Sequence, residues 1–188
     1  LKMCGDLGMD VGQYQAIQYT GETITALDIF ERMTICNMAA ELGAQVGLIE
    51  PDAKTAAYIG DTGSDPGDWE QFRGDDGARV AASHNFDAGA LTPQVAAPHS
   101  PANATDIANM EKVEIDQFYI GACTGAKLND LKMAADVLTN KKVGPGKRLT
   151  VAPASARILT QATKLGIVET LLDAGANLLP PGCGACAG

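Results

Sequence analysis

Residues 115–138 read IDQFYIGACTGAKLNDLKMAADVL, and the fold is decided there. Ile115 to Ile120 is a run of strand length, Gly121 punctuates it, and Leu128, Leu131, Ala135 and Leu138 then recur at helical spacing. The wording repeats downstream. Leu149 to Ala152 reads as a strand, Ala154 to Leu165 as a helix, Val168 to Ala174 as a short helix, and Leu178-Leu179 as an extended segment. Strands alternating with helices of this length imply right-handed βαβ crossovers and a parallel sheet. The expected fold class is therefore α/β.

In such sheets ligands bind beyond the carboxyl ends of the strands. Cys123 lies just past the first strand, and Cys183 and Cys186 lie just past the last extended segment. Three thiols from two distant motifs are thus expected to converge at one sheet edge. As a redox pair, Cys183-Gly184-Ala185-Cys186 needs a thioredoxin-like setting that opens a helix early in a fold. As a zinc site it needs further ligands; Cys123 is one candidate, but His84 and His99 lie away from the βαβ unit. A cubane iron–sulfur cluster usually takes four thiolates, so three leave one iron open, as Lewis-acid catalysis requires. Cys4 and Cys36 read more simply as small buried hydrophobes.

Upstream, Ile24, Leu27, Phe30, Ile35, Met38 and Leu42 suggest one helix over 22–43 that stops at Gly43. Val46 to Ile49 reads as a buried strand, and Asp52 opens a helix running to about Tyr58. Gly60 to Gly77 is turn chemistry. Its Asp residues do not match a twelve-residue calcium loop, and a solvated loop is the expectation. Arg79 to Phe86 is expected as a strand. The proline-marked stretch 92–110 is expected as a linker between a first domain, 1–91, and a second, 111–188. His84 and His99, isolated in polar surroundings, are read as surface residues.

The 188 residues are 46% hydrophobic and 20% charged, enough apolar content for a packed core. A formal net charge of −9 argues against nucleic-acid or anionic-membrane partners, which need clustered Lys and Arg. No apolar run has the roughly 18 residues of a membrane-spanning helix. Five cysteines is an odd number, which favours a reducing, cytoplasmic setting and metal or cluster ligation over disulfides. The first residue is Leu1, and the last two directly follow the Cys-x-x-Cys motif; both read as a piece of something longer.

Four motifs, in order, go beyond spacing. Arg32-Met33-Thr34-Ile35-Cys36-Asn37-Met38-Ala39-Ala40-Glu41-Leu42-Gly43-Ala44 resembles the "TICNM…E.GA" segment of the aconitase superfamily. Pro98-His99-Ser100-Pro101-Ala102-Asn103 is similar to the linker of its isopropylmalate dehydratase/homoaconitase branch. Ile120-Gly121-Ala122-Cys123-Thr124 with Asn129-Asp130-Leu131 resembles "GSCTNG…EDL", and Pro181-Gly182-Cys183-Gly184-Ala185-Cys186 resembles the second cysteine motif. Together they span nearly the whole chain.

This resemblance implies an aconitase-like fold and a [4Fe–4S] hydro-lyase that dehydrates and rehydrates a hydroxy-di- or tricarboxylic acid. The first substrate it suggests is 3-isopropylmalate of leucine biosynthesis, with dimethylmalate and homoaconitate as related diacids. Carried over by position, Cys123, Cys183 and Cys186 match the cluster ligands, Asn37 the asparagine beside the cluster, and Glu41 the active-site glutamate. Four residues apart on the expected helix, Asn37 and Glu41 would share one face. Residues 1–108 correspond to the later part of the second domain of that fold, and 109–188 to the first part of its cluster-binding third. The implied partner is a small subunit carrying the swivelling domain, with the catalytic serine and further arginines.

The departures are Ala122, Gly125 and Ala126 where the family commonly has Ser and Asn, and Val151-Ala152-Pro153-Ala154-Ser155 where it usually has "VPGS". They remove side-chain donors near the cluster or substrate. The family's Asp-Ser-His segment and the Asn-Arg run after the second cysteine motif are also missing from these 188 residues, so the chain alone is not expected to turn over substrate. The rival reading is an inactive metal-binding, structural or assembly module derived from the same family.

Overall fold

The computed structural model describes residues 1–187. The chain divides into two compact units, Leu1–Glu111 and Lys112–Gly188. In the first unit α1 (Lys2–Leu7) precedes β1 (Ala16–Gln18), α2 (Glu22–Ala26), α3 (Ile29–Asn37), β2 (Val46–Leu48) and α4 (Ala53–Asp61). β1 and β2 pair in parallel, with Ile17 opposite Gly47.

The single helix expected over 22–43 is three pieces. Asp28 ends the first by starting the second: its Oδ1 accepts from the Glu31 amide at 2.8 Å, and the Glu31 carboxylate accepts from the Asp28 amide at 2.8 Å. This reciprocal capping box outcompetes continuation of the apolar stripe. The carbonyls left over at the end of α2 are taken by the Lys54 ammonium, which donates to Thr25, Ala26 and Leu27 at 2.7, 2.8 and 2.9 Å. α3 ends on Asn37, and residues 40–42 form a separate 3₁₀ turn.

Asp52 caps α4 as expected, its Oδ1 accepting from Lys54 and Thr55. Residues 79–86, expected as a strand, form none; Val80 is 72% exposed, and so short an apolar run has neither a sheet partner nor a covering layer. The 92–110 stretch carries β3 (Gln94–Ala96) and β4 (Ala104–Asp106), an antiparallel pair. It packs on α1, where a Cβ added to Gly5 would lie 3.2 Å from the Ala104 Cβ, and just past α1 the Ser100 Oγ donates to Met9 Sδ.

The second unit is built from the deciding stretch. β5 (Gln117–Gly121), β6 (Arg148–Ala152) and β7 (Ala176–Leu178) form a parallel sheet in that order. The connections are α5 (Ala122–Gly125) and α6 (Leu128–Leu138), then α7 (Ala156–Lys164) and α8 (Ile167–Asp173). Apart from α5, which the sequence reading did not contain, these bounds fall within two residues of it, because strand and helix periods are strong here and glycines punctuate them. Leu131, Val151, Leu171 and Pro153 are fully buried, with Leu149, Ile158, Ala162 and Val168 around them. On β6 the buried Leu149 and Val151 alternate with the half-buried Thr150. By register, Tyr119, Thr150 and Asn177 share the opposite face, and Gly121 pairs with Ala152. None of the described helices is long and apolar enough to cross a membrane.

Candidate functional site

β5, β6 and β7 run parallel, so their carboxyl ends lie at one edge of the sheet, and the loops beyond them interlock. The Ala154 amide after β6 donates to the Ala126 carbonyl after β5 at 3.0 Å. The Gly182 amide after β7 donates to the Pro153 carbonyl after β6 at 3.1 Å. The Tyr119 hydroxyl on β5 donates to the Cys183 carbonyl at 2.6 Å. A layer of small, fully buried residues, Ala122, Ala126 and Ala152, lets these loops approach closely.

All three cysteines expected at this edge are there. Cys123 sits on α5, directly after β5; Cys183 follows β7; Cys186 lies on the 3₁₀ turn Gly184–Ala187, which the Cys186 amide closes onto the Cys183 carbonyl at 3.0 Å. Each is an exposed thiol outside any disulfide. Their convergence is felt at one atom. The Tyr119 phenol is held above its usual pKa by burial first, and then by the negative charge of Cys186, Cys183 and Cys123 together.

The turn that carries Cys123 is fastened from below. Lys127 is only 5% exposed, and its ammonium donates to the Cys123 carbonyl at 3.2 Å and the Thr124 carbonyl at 2.7 Å. Asp130 balances the charge at 3.1 Å and accepts from the Lys127 amide at 2.9 Å. Ala122, the residue before Cys123, holds φ at +64°, a left-handed conformation that costs an alanine about 1–2 kcal/mol.

Among the described residues no group of three or more His, Cys, Asp and Glu side chains is arranged to hold a metal ion. A single ion draws its ligands to one point, whereas a cubane offers a different iron to each thiolate, so its ligands stand further apart. Exposed thiols that follow two strands of one parallel sheet suit the second kind of group. The small Gly184 leaves room there: an added Cβ would lie 2.7 Å from the Tyr119 hydroxyl and 3.1 Å from the Ala152 methyl.

In the first unit, Asn37 is the exposed last residue of α3, whereas Glu41 lies on the separate 3₁₀ turn. They do not share a continuous helix face, as their spacing suggests, because α3 stops between them. Glu41 Oε2 is buried without a hydrogen-bond partner among the described residues. Beside it the buried Tyr19 phenol is pushed up to about 12, by burial first and then by Cys36, Cys4 and Glu41. Burial likewise raises the Cys36 thiol. His84 and His99 are exposed.

Sequence reasoning missed Tyr119 and Lys127. Lys127 has a signal in retrospect: it stands three residues before Asp130, at the start of a helix, where N-terminal capping pairs occur. Tyr119 is marked only by its two-residue offset from Gly121, which puts both on one face of β5.

The chain as a whole is similar to known proteins. The aconitase family (aconitate hydratase) matches residues 1–188. A protein named 3-isopropylmalate dehydratase large subunit 2 from Archaeoglobus fulgidus is 39% identical over 188 residues, covering all of this chain and 45% of the relative. One named 3-isopropylmalate dehydratase large subunit 1 from Methanopyrus kandleri is 40% identical over 188 residues, 44% of its length. A probable methanogen homoaconitase large subunit from Methanothermobacter thermautotrophicus is 38% identical over 189 residues, again 44% of its length. The chain thus spans less than half the length of these relatives. With a family match from the first residue to the last, the chain belongs to the aconitase family.

Proposed function

We propose that this chain is the cluster-bearing part of a hydro-lyase large subunit that interconverts hydroxy-diacids by dehydration and rehydration, with 3-isopropylmalate as the first candidate substrate. The observation that carries the proposal is the meeting of Cys123, Cys183 and Cys186 at the carboxyl edge of one parallel sheet, in a chain of the aconitase family. The names of the relatives support the substrate class, and their designation as large subunits supports a small-subunit partner carrying the swivelling domain.

Cys123, Cys183 and Cys186 would hold a [4Fe–4S] cluster as thiolates. When bound, such a cluster supplies Lewis-acid polarisation of a substrate hydroxyl and carboxylate at the iron that no thiolate occupies. The remaining work falls to protein groups. Lys127 and Ala122 keep the Cys123 turn in one conformation, so the thiolate is pre-oriented rather than ordered at each binding event. Glu41 is proposed to take and return a proton at its carboxylate; its buried Oε2 has acceptor capacity that no neighbour in its unit uses. Asn37, exposed at the end of α3, offers an amide to substrate or hydroxide.

The test is Mössbauer spectroscopy of the chain reconstituted anaerobically with ⁵⁷Fe and sulfide, with and without 3-isopropylmalate. The expected result is a cubane spectrum in which one iron site responds to the diacid while the others do not. A cubane with four equivalent, unresponsive irons would overturn the hydro-lyase reading, and zinc retained in place of iron would favour the structural module.

A further inference from the structure

We infer that Tyr119 is a positioning residue for the second cysteine motif: its hydroxyl fastens the Cys183–Cys186 turn to the end of β5, the strand that leads to Cys123. The Cys183 carbonyl is the node. It accepts from the Cys186 amide at 3.0 Å, which closes the turn on itself, and from the Tyr119 hydroxyl at 2.6 Å, which ties the turn to the sheet. Both acceptor positions of one carbonyl are therefore used, one for the turn's shape and one for its place.

Two glycines make room for this contact. A Cβ on Gly121 would stand 2.0 Å from Tyr119 Cζ and 2.1 Å from its hydroxyl oxygen, so the ring can lie along β5 only because residue 121 has no side chain. Gly184, at φ +53°, also adjoins this hydroxyl, and a Cβ added there would lie 2.7 Å from it. The other ties between the loops, Ala154 to Ala126 and Gly182 to Pro153, are backbone to backbone and survive side-chain replacement. The link from β5 to Cys183 depends on one phenolic oxygen. Replacing Tyr119 by phenylalanine keeps the ring over Gly121 and removes only that oxygen.

The purpose of the tether, holding two ligand motifs in register for a cluster, rests on the function proposed above; the tether itself is testable without metal. Amide hydrogen exchange of the metal-free chain is measured for wild type and Tyr119→Phe. The expected result is exchange about fivefold faster over residues 182–186, the factor that corresponds to the loss of about 1 kcal/mol, with β6 and α7 unchanged. Gly184→Ala, whose methyl would displace the hydroxyl, is expected to give the same local acceleration, and the double variant little more than either alone. After reconstitution, Tyr119→Phe is expected to lose iron to a chelator about fivefold faster than wild type. Unchanged exchange over 182–186 in a folded Tyr119→Phe chain would overturn the tether, and so would equal acceleration throughout β5, β6 and β7. A wild-type chain that takes up no sulfide would refute the cluster while leaving the exchange result to decide the tether.

Discussion

Two charged residues, both largely hidden, govern local order. Lys127 satisfies the carbonyls of Cys123 and Thr124 from inside the second unit. Lys127→Met leaves both carbonyls and the Asp130 carboxylate without that donor, at a cost of about 1–3 kcal/mol; urea denaturation is expected to show the loss as a lower midpoint. Arg32, 3% exposed, donates to the Thr25 carbonyl and to Asp52 at 2.7 Å. That hydrogen bond holds the Asp52 carboxyl at about 2 instead of 3.8. The folded pKa is depressed, so the stabilisation is complete above pH ~4 and is lost as pH falls through the window from about 4 to about 2. The stability difference between wild type and Asp52→Asn is expected to stay constant from pH 7 to about 4.5 and to shrink below that. A difference that widens with acid would contradict the pairing. The sequence does not announce Arg32, since an arginine reads as surface until its partners are in place; Lys127 is marked only by Asp130 three residues on.

Elements with strong periodicity and clear punctuation were legible. β5, α6, β6, α7, α8 and β7 all stand where strand and helix patterns put them, and with them the placement of Cys123 directly after β5 and of Cys183 and Cys186 after β7. The weaker elements were decided by local competition. The break at Asp28 is a capping box that outweighs hydrophobic spacing, and it is visible as Asp28 followed by Glu31 once it is looked for. β1, β3 and β4 are three residues each, too short for alternation to register. The close approach of α3 to β2 was equally silent, although it depends on one glycine. A Cβ on Gly47 would lie 2.6 Å from the Cys36 carbonyl oxygen and 2.8 Å from the Cys36 Cα. Gly47→Ala must push helix and strand apart and is expected to cost about 1–3 kcal/mol, read as a lower thermal midpoint. By contrast Gly60→Ala, with open space around the added methyl and a helical position, is expected to be neutral or stabilising.

At the scale of the molecule, the proposed chemistry draws on residues of both units: thiols at a sheet edge in Lys112–Gly188, and Asn37 and Glu41 in Leu1–Glu111. The aconitase motifs in the sequence led to both, and the family match covers both. What the sequence could not supply was the way the thiols are held, because the hydroxyl of Tyr119, the ammonium of Lys127 and the strained Ala122 act through backbone groups that carry no sequence signature. The central claim is that Cys123, Cys183 and Cys186 together hold one [4Fe–4S] cluster. Iron, acid-labile sulfide and zinc are measured on the same anaerobically reconstituted sample, for wild type and for each of Cys123→Ser, Cys183→Ser, Cys186→Ser and Cys4→Ser. About four iron and about four sulfide per chain are expected in wild type. The same content is expected in Cys4→Ser, with a large loss in each of the other three. Zinc without sulfide, or iron and sulfide that survive Cys123→Ser, would contradict the account.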